Sequence, residues 1–199
     1  MADLANLEMQ PYSTQLGLYP EFFARRQESL VVEENALSPS GGDFVIKNSD
    51  GDSVFLVTGH TSRFSSHRTH VSDMKRNLLF AIGKKTLGSG FYAEGPDGKI
   101  ILDIKDESSE TICRFKSHLG RQEALVNRAT HHRTRAEILD QTTGQLVAIV
   151  DRGSDVGLVP TPSGRRTYTV MVAPGVDMTL IVAMCLSVDD MLFRGSREA

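Results

Sequence analysis

The sequence predicts a mainly β fold, in which a closed antiparallel barrel encloses an apolar C-terminal helix. Three features support this prediction: short runs of alternating apolar residues, turn residues between the runs, and a C-terminal apolar segment without a polar side. Regularly spaced short strands are typical of sandwiches and barrels. A helix that is apolar all round must be surrounded by protein, and a closed barrel surrounds it without leaving exposed strand edges. A helix clamped between two sheets is the alternative.

The composition is that of an ordinary globular protein. The chain has 199 residues, of which 40% are hydrophobic and 24% charged, and this predicts one domain rather than a disordered, collagenous or membrane-spanning chain. The net charge of −3 gives no general attraction to nucleic acid or to anionic membranes, so we expect no specific nucleic-acid partner. The two distant cysteines, Cys113 and Cys185, are expected to be buried and reduced. The polar N-terminus lacks a secretory signal, and a cytoplasmic or nuclear location is expected.

Short strand-like runs begin at Leu30. The predicted strands are Leu30–Glu33, Phe44–Lys47, Ser53–Thr58, Leu78–Ile82, Gly90–Ala93, Lys99–Lys105, Thr111–Lys116, Gln145–Asp151 and Thr167–Val172. The stretch from His67 to Asp73 is expected to be strand and turn, and His118–Arg135 to be loop. The turn glycines Gly51, Gly98 and Gly144 are 47 and 46 residues apart, which indicates either an internal duplication or the hairpin spacing of a meander. Several runs are apolar on both sides, so part of the outer surface is expected to be covered.

The N-terminal segment is expected to be a strap rather than a free tail. Residues 1–29 lack a clean period but contain many large apolar side chains, and we expect them to cover one end of the barrel; these are Tyr12, Leu16, Leu18, Tyr19, Phe22 and Phe23. Residues 30–199 then form the domain itself.

The segment from Met178 to Val188 decides the fold. Its eleven residues place apolar or small groups at every angle of a helix. Asp177 is a suitable N-cap for this helix, and Gly195 a suitable stop. A transmembrane helix needs about 20 apolar residues, so this segment is too short to span a bilayer. A buried strand is the other interpretation of an apolar run, but the Met, Ala and Leu content favours a helix.

The C-terminal residues also resemble a known family. The order Tyr168-x-Val170-x-Val172-x-Pro174-Gly175-Val176-Asp177, followed by an apolar helix ending in Val188-Asp189-Asp190, is similar to the C-terminal signature of LURP-one-related proteins. The stretches Asp43–Val57 and Asp73–Lys85 resemble the opening strands of that family. The resemblance covers about residues 30–193. It implies a twelve-stranded barrel around a central helix, as in the Tubby C-terminal domain, and a relationship to phospholipid scramblases.

The resemblance says less about activity than about fold. The family has no firmly defined common biochemical activity, and its relationship to Tubby implies phosphoinositide binding. Plant members usually carry a tryptophan in the strand after the conserved lysine, whereas this chain has no tryptophan and places Phe91-Tyr92 there.

No motif for catalysis, a metal or a cofactor stands out. The chain lacks GxSxG, HExxH and phosphate-binding glycine loops, and Gly88-x-Gly90 lacks a third glycine. The spacing His67-x-x-His70-x-x-Asp73 suits one face of a helix but falls in a region expected to be strand and turn. Asp50 and Asp52 are explained better by a hairpin than by a calcium loop. A barrel filled by its own helix also leaves little room for a substrate, so we expect neither an enzyme nor a cofactor.

Basic residues provide the remaining candidate site. The candidate ligands for anionic phospholipid headgroups are Arg128, His132, Arg133 and Arg135, with His131 beside them, since arginines on one face of a strand can hold a phosphate through paired hydrogen bonds. The sequence favours the competing interpretation, that these are solvated loop charges balanced by Glu123, Glu137 and Asp140. The chain has a second basic stretch and three smaller basic pairs: Arg63, His67, Arg68 and His70, then Lys75-Arg76, Lys84-Lys85 and Arg165-Arg166. A protein partner held by the loop Val156–Arg166, with Pro160 and Pro162, is the alternative function. A lipid-moving or other enzyme activity has the least support.

Overall fold

A computed structural model describes residues 7–35, 43–60, 68–86, 90–107, 110–129, 134–153 and 167–195. Within them, twelve strands and one C-terminal helix form a closed barrel with the helix inside. A short 3-10 turn at Pro20–Phe22 precedes the barrel. The elements are β1 (Glu28–Glu34), β2 (Phe44–Lys47), β3 (Ser53–His60), β4 (Arg68–Asp73), β5 (Leu78–Lys84), β6 (Phe91–Glu94), β7 (Ile100–Glu107), β8 (Glu110–Lys116), β9 (Gln122–Ala129), β10 (Arg135–Asp140), β11 (Leu146–Asp151), β12 (Thr167–Val172) and α1 (Met178–Gly195).

The barrel is an antiparallel meander. Each strand pairs with its neighbours along the chain, and the pairing of β1 with β12 closes the sheet. Since successive strands run in opposite directions, the connections alternate between the two ends. We call the end at which α1 begins the lower end and the opposite end the upper end. The predicted fold class, a closed antiparallel barrel around a buried helix, is confirmed, as is its strand number.

The predicted turns and most of the predicted strands are also confirmed. Gly51, Gly98 and Gly144 all adopt a positive φ in lower-end turns that lie four strands apart. The expected loop His118–Arg135 is wrong, because it contains β9 and the first residue of β10. The pattern of β9 is hidden by the polar Asn127, which is 3% exposed and occupies an inward position opposite Ile138.

Alternation places one side of every strand against α1. On β10, for example, Ala136 and Ile138 are buried inward while Glu137 is exposed. The outer face is partly covered as well, since β11 is buried from Val147 to Val150 on both of its sides. This explains why its sequence is apolar without alternation.

The helix fills the barrel. The side chains from Leu180 to Cys185 are each at most 1% exposed. Ser187 is also buried, and its hydroxyl is satisfied by donating to the carbonyl of Ala183, 2.8 Å away. Helical, rather than extended, geometry of this segment is therefore confirmed.

Asp177 joins the helix to the segment before β1. Its Oδ1 accepts hydrogen bonds from the backbone N–H and the hydroxyl of Thr179, at 2.8 and 2.7 Å, so the predicted N-cap is confirmed. Its Oδ2 accepts from the backbone N–H groups of Leu18 and Tyr19, at 2.8 and 2.9 Å. Burial raises the pKa of this carboxyl, and these hydrogen bonds act in the opposite direction. One buried carboxylate thus fixes two parts of the chain.

The described part of the N-terminal segment, residues 7–27, packs on the lower end. Backbone hydrogen bonds join Tyr12 to Pro174 and Leu16 to Gly175, at 2.8 and 2.9 Å. Gly17 lies so close to Asp177 that a Cβ atom there would meet the Asp177 Cβ at 2.0 Å. Any larger residue at this position would therefore force the two segments apart.

Shortening a side chain on α1 should destabilise the whole barrel. We expect Ile181→Ala, at a position with 0% exposure, to lower the free energy of unfolding by about 2–5 kcal/mol, because it leaves a cavity among rigidly held neighbours. Chemical denaturation measures this value. Ile100→Ala is the matched control, since Ile100 is 65% exposed and its loss should change stability by less than about 0.5 kcal/mol. Equal effects of the two substitutions would contradict the enclosed position of the helix.

Candidate anion-binding site

Two of the four predicted headgroup ligands lie in the described structure, and both lie at the upper end. Arg128 is near the end of β9, and Arg135 is the first residue of β10. Arg128 is opposite Glu137 in the ladder, so Arg135 is its diagonal neighbour on the outer face, with Cα atoms about 7–8 Å apart. His132 and Arg133 lie outside the described residues, as does His131.

Carboxylates surround the two arginines. The Nε of Arg128 lies 2.6 Å from a carboxylate oxygen of Glu110 on β8. Glu137 is opposite Arg128 on the other side, and Asp151 is opposite Arg135. Of the other acids expected to balance this stretch, Glu123 pairs with Arg121 at 3.0 Å, and Asp140 accepts a hydrogen bond from the Tyr12 hydroxyl. The described part of the site therefore carries no excess of positive charge.

Arg135 nevertheless has an unused donor. Its side chain is half-buried, and its Nε is shielded from solvent without a hydrogen-bond partner in the described structure. A buried donor without a partner costs about 1–3 kcal/mol. A ligand oxygen that reached this atom would recover that cost. The sequence did not reveal that Arg135 has an unpaired donor.

Two other basic residues, Arg68 and Lys85, are held by acids from other strands. Arg68 pairs with Glu94 at 2.8 Å, and Lys85 pairs with Asp103. Arg63 and His67 lie outside the described residues, as does the pair Arg165-Arg166. The loop Val156–Arg166, expected to hold a protein partner, lies outside them too. Ion pairs with acids on other strands therefore engage Arg68 and Lys85.

A buried polar cluster lies inside the upper end, and sequence reasoning missed it. Arg152 continues the inward alternation of β11, and its Nη2 lies 2.9 Å from Oδ1 of Asp189 on α1. The two side chains are only 2% and 9% exposed. The Arg152 guanidinium carbon lies 5.5 Å from the centre of the Tyr168 ring, a cation–π distance. The sequence contained one indication of this cluster: Asp189 is a carboxylate that directly follows a helical segment with no polar side.

The electrostatics of this cluster favour a charged pair. Burial acts to lower the pKa of Arg152, but Asp189 outweighs it through its charge and its hydrogen bond, so the pKa is raised. Burial, together with the nearby Asp189, holds the pKa of Tyr168 well above its usual value. Arg152 also donates its backbone N–H to the carbonyl of Thr134, the residue before Arg135, at 2.7 Å. The cluster thus links the C-terminal part of α1 to the strand that carries the candidate site.

The thiols are poorly suited to catalysis. Cys113 and Cys185 are buried and free, as predicted. Burial raises the pKa of both thiols, that of Cys185 to about 12, and a thiol that stays protonated is a weak nucleophile.

In the described ranges, no three His, Cys, Asp or Glu side chains lie together as a metal would require. In the same ranges, none of the helices combines the length and apolar character needed to cross a membrane.

Removing one partner of the buried ion pair should destabilise the protein strongly. We expect Arg152→Ala to lower the free energy of unfolding by about 3–5 kcal/mol, because Asp189 is left buried without its counter-charge. Thermal and chemical denaturation measure the loss. The double variant Arg152→Met with Asp189→Leu removes both charges and keeps apolar volume, so it should be more stable than the single variant. A double variant as unstable as Arg152→Ala would contradict this explanation.

Comparison with known proteins identifies the family. The model of the LURP-one-related family matches residues 28–189, which span β1 to the buried part of α1. An X-ray structure of a protein from Arabidopsis thaliana is similar in fold, with a TM-score of 0.66 at 14% identity, over 89% of this chain and 98% of that chain. No curated protein matches the chain significantly. The match covers the barrel and includes the signature from Tyr168 to Asp189, and the chain therefore belongs to the LURP-one-related family.

Proposed function

We propose that this protein is a non-enzymatic binding module that holds its ligand on the outer surface of the barrel. The observation that supports this proposal is the packed interior. Side chains of α1 from Leu180 to Cys185, at most 1% exposed, occupy the space in which a barrel would otherwise enclose a small molecule. Binding must then use strand surfaces and connections. A cytoplasmic location is part of the proposal, since Cys113 and Cys185 are buried free thiols.

The proposed ligand is an anionic phospholipid headgroup, such as a phosphoinositide, bound at Arg128 and Arg135. His132 and Arg133, in the connection between β9 and β10, belong to the same proposal. The exposed ion pair between Arg128 and Glu110 is worth only about 0–1 kcal/mol, so a ligand can replace it at little cost. A phosphate group offers stronger, charge-assisted hydrogen bonds to a guanidinium than a neutral acceptor does.

Headgroup binding should depend on these two arginines. We expect the double variant Arg128→Ala with Arg135→Ala to weaken binding to vesicles containing bisphosphorylated phosphoinositides by at least about tenfold, since each lost charge-assisted hydrogen bond is worth about 1.5–3 kcal/mol. Vesicle sedimentation at low salt measures the affinity. Competition with the soluble inositol phosphate shows whether the headgroup alone is sufficient.

The matched control removes the same charge elsewhere. Arg26→Ala with Lys47→Ala also deletes two positive charges from exposed ion pairs, on the side of the barrel formed by β1 and β2. It should leave the affinity nearly unchanged. If wild-type protein does not bind these vesicles, the lipid proposal is wrong. If both double variants lose affinity equally, the vesicles attract the positive charge of the protein in general, and the assigned site is wrong.

A further inference from the structure

Among the residues that the structure describes, four large apolar side chains are exposed, and they lie on hairpins of the lower end. They belong to three successive hairpins, β4–β5, β6–β7 and β8–β9, and we call them the apolar tips: Met74 (47% exposed), Leu78 (38%), Ile100 (65%) and Leu119 (56%). Among the described residues, these are the large hydrophobic side chains that stand exposed. Exposed apolar residues scattered singly over a surface are normal, but four of them on neighbouring hairpins, beside exposed basic residues, indicate an interaction site.

The geometry of the apolar tips suits a soft surface. Successive hairpins begin two strands apart, and strands lie about 4.8 Å from each other, so neighbouring tips are about 10 Å apart along the rim. They form a row of separate projections rather than a continuous patch. A stable protein interface needs about 800 Å² of closely fitting surface on each partner. A bilayer deforms around each projecting side chain and makes no such demand, which favours a membrane as the occupant.

The charges beside the apolar tips suit an anionic bilayer. Lys75 and Arg76 follow Met74, and Lys99 precedes Ile100, all of them exposed. Lys116, also exposed, leads into the turn that holds Leu119. Lys99 pairs with Asp97 at 2.8 Å, so the positive charge that faces a bilayer comes mainly from Lys75, Arg76 and Lys116. Apolar side chains flanked by Lys and Arg are the usual means by which a protein lies at the surface of a membrane that contains anionic lipid.

Arg76 occupies a backbone position that favours glycine. Its φ is +66°, in the left-handed region, and its N–H donates to the carbonyl of Asp73 at 3.0 Å. A bulky residue in this region is strained. Arg76→Gly therefore removes a positive charge beside the apolar tips without harming the fold, so it tests the contribution of that charge to membrane binding.

We propose that the lower end of the barrel is a peripheral membrane surface, where the apolar tips enter the outer part of a bilayer that contains anionic lipid. This surface is separate from the site at Arg128 and Arg135, which lies at the upper end. A single bilayer cannot contact both ends at once, so substitutions at each end distinguish the two assignments.

Tryptophan fluorescence tests which end meets the membrane. The chain has no tryptophan, so a single introduced one reports only on its own position. We expect the emission of Ile100→Trp to shift to shorter wavelength with vesicles of phosphatidylcholine and phosphatidylserine, and to be quenched by brominated lipid. Thr167→Trp, at an exposed position on the upper end, is the control and should show neither effect. A change at Thr167→Trp but not at Ile100→Trp would overturn this inference while supporting the upper-end site.

Two further variants separate insertion from folding. The triple variant Met74→Ser, Ile100→Ser, Leu119→Ser should weaken vesicle binding by at least about tenfold with an unchanged unfolding midpoint, because each exposed side chain contributes only in the bilayer. Arg76→Gly should bind less well while being at least as stable as wild type. Unchanged binding by the triple variant, or no binding by wild type, would overturn the proposal and leave the apolar tips as a protein contact.

Discussion

A helix without a polar side is stable in water only if the rest of the chain surrounds it. This constraint governs the whole molecule. Each large side chain of α1 contributes about 1.5–3 kcal/mol when it is fully buried, and this gain is available only if the enclosing wall is complete. An open sheet would cover one side, whereas twelve antiparallel strands closed by the pairing of β1 with β12 cover every side. The same arrangement packs the interior with the helix, which is why the proposed function places the ligand on the outer surface.

Buried carboxylates hold both ends of the helix in place. At the lower end, Asp177 caps α1 and binds the backbone of Leu18 and Tyr19. At the upper end, Asp189 is held by Arg152, the residue that follows β11. A buried charge that loses its partner is costly, so each contact strongly disfavours any sliding of α1 along the barrel. The two ends are then free to differ on their outer surfaces, with arginines at one and the apolar tips at the other.

The sequence predicted the features that depend on local pattern. The apolar stretch from Met178 to Val188, the cap at Asp177 and the turn glycines each contain their own signal. The strand β9 was missed because the polar Asn127 occupies an inward position, where alternation requires an apolar residue. The partners of Arg128 and Arg152 come from other elements, Glu110 on β8 and Asp189 on α1, and no local pattern reveals them. For the candidate site, the sequence indicated Glu137 as a balancing charge, and Glu137 does lie opposite Arg128, but the sequence could not predict the ion pair of Arg128 with Glu110.

The enclosure of α1 also determines its dynamics. The wall encloses the side chains of α1 from Leu180 to Cys185, so this part of the helix cannot open unless the barrel opens, and its backbone amides should exchange with solvent only through global unfolding. Native-state hydrogen exchange tests this claim most directly. We expect the amides of Ile181–Leu186 to show the slowest exchange in the protein, with an opening free energy equal to that of global unfolding. Exchange of these amides through a local opening, while the strands stay protected, would contradict it.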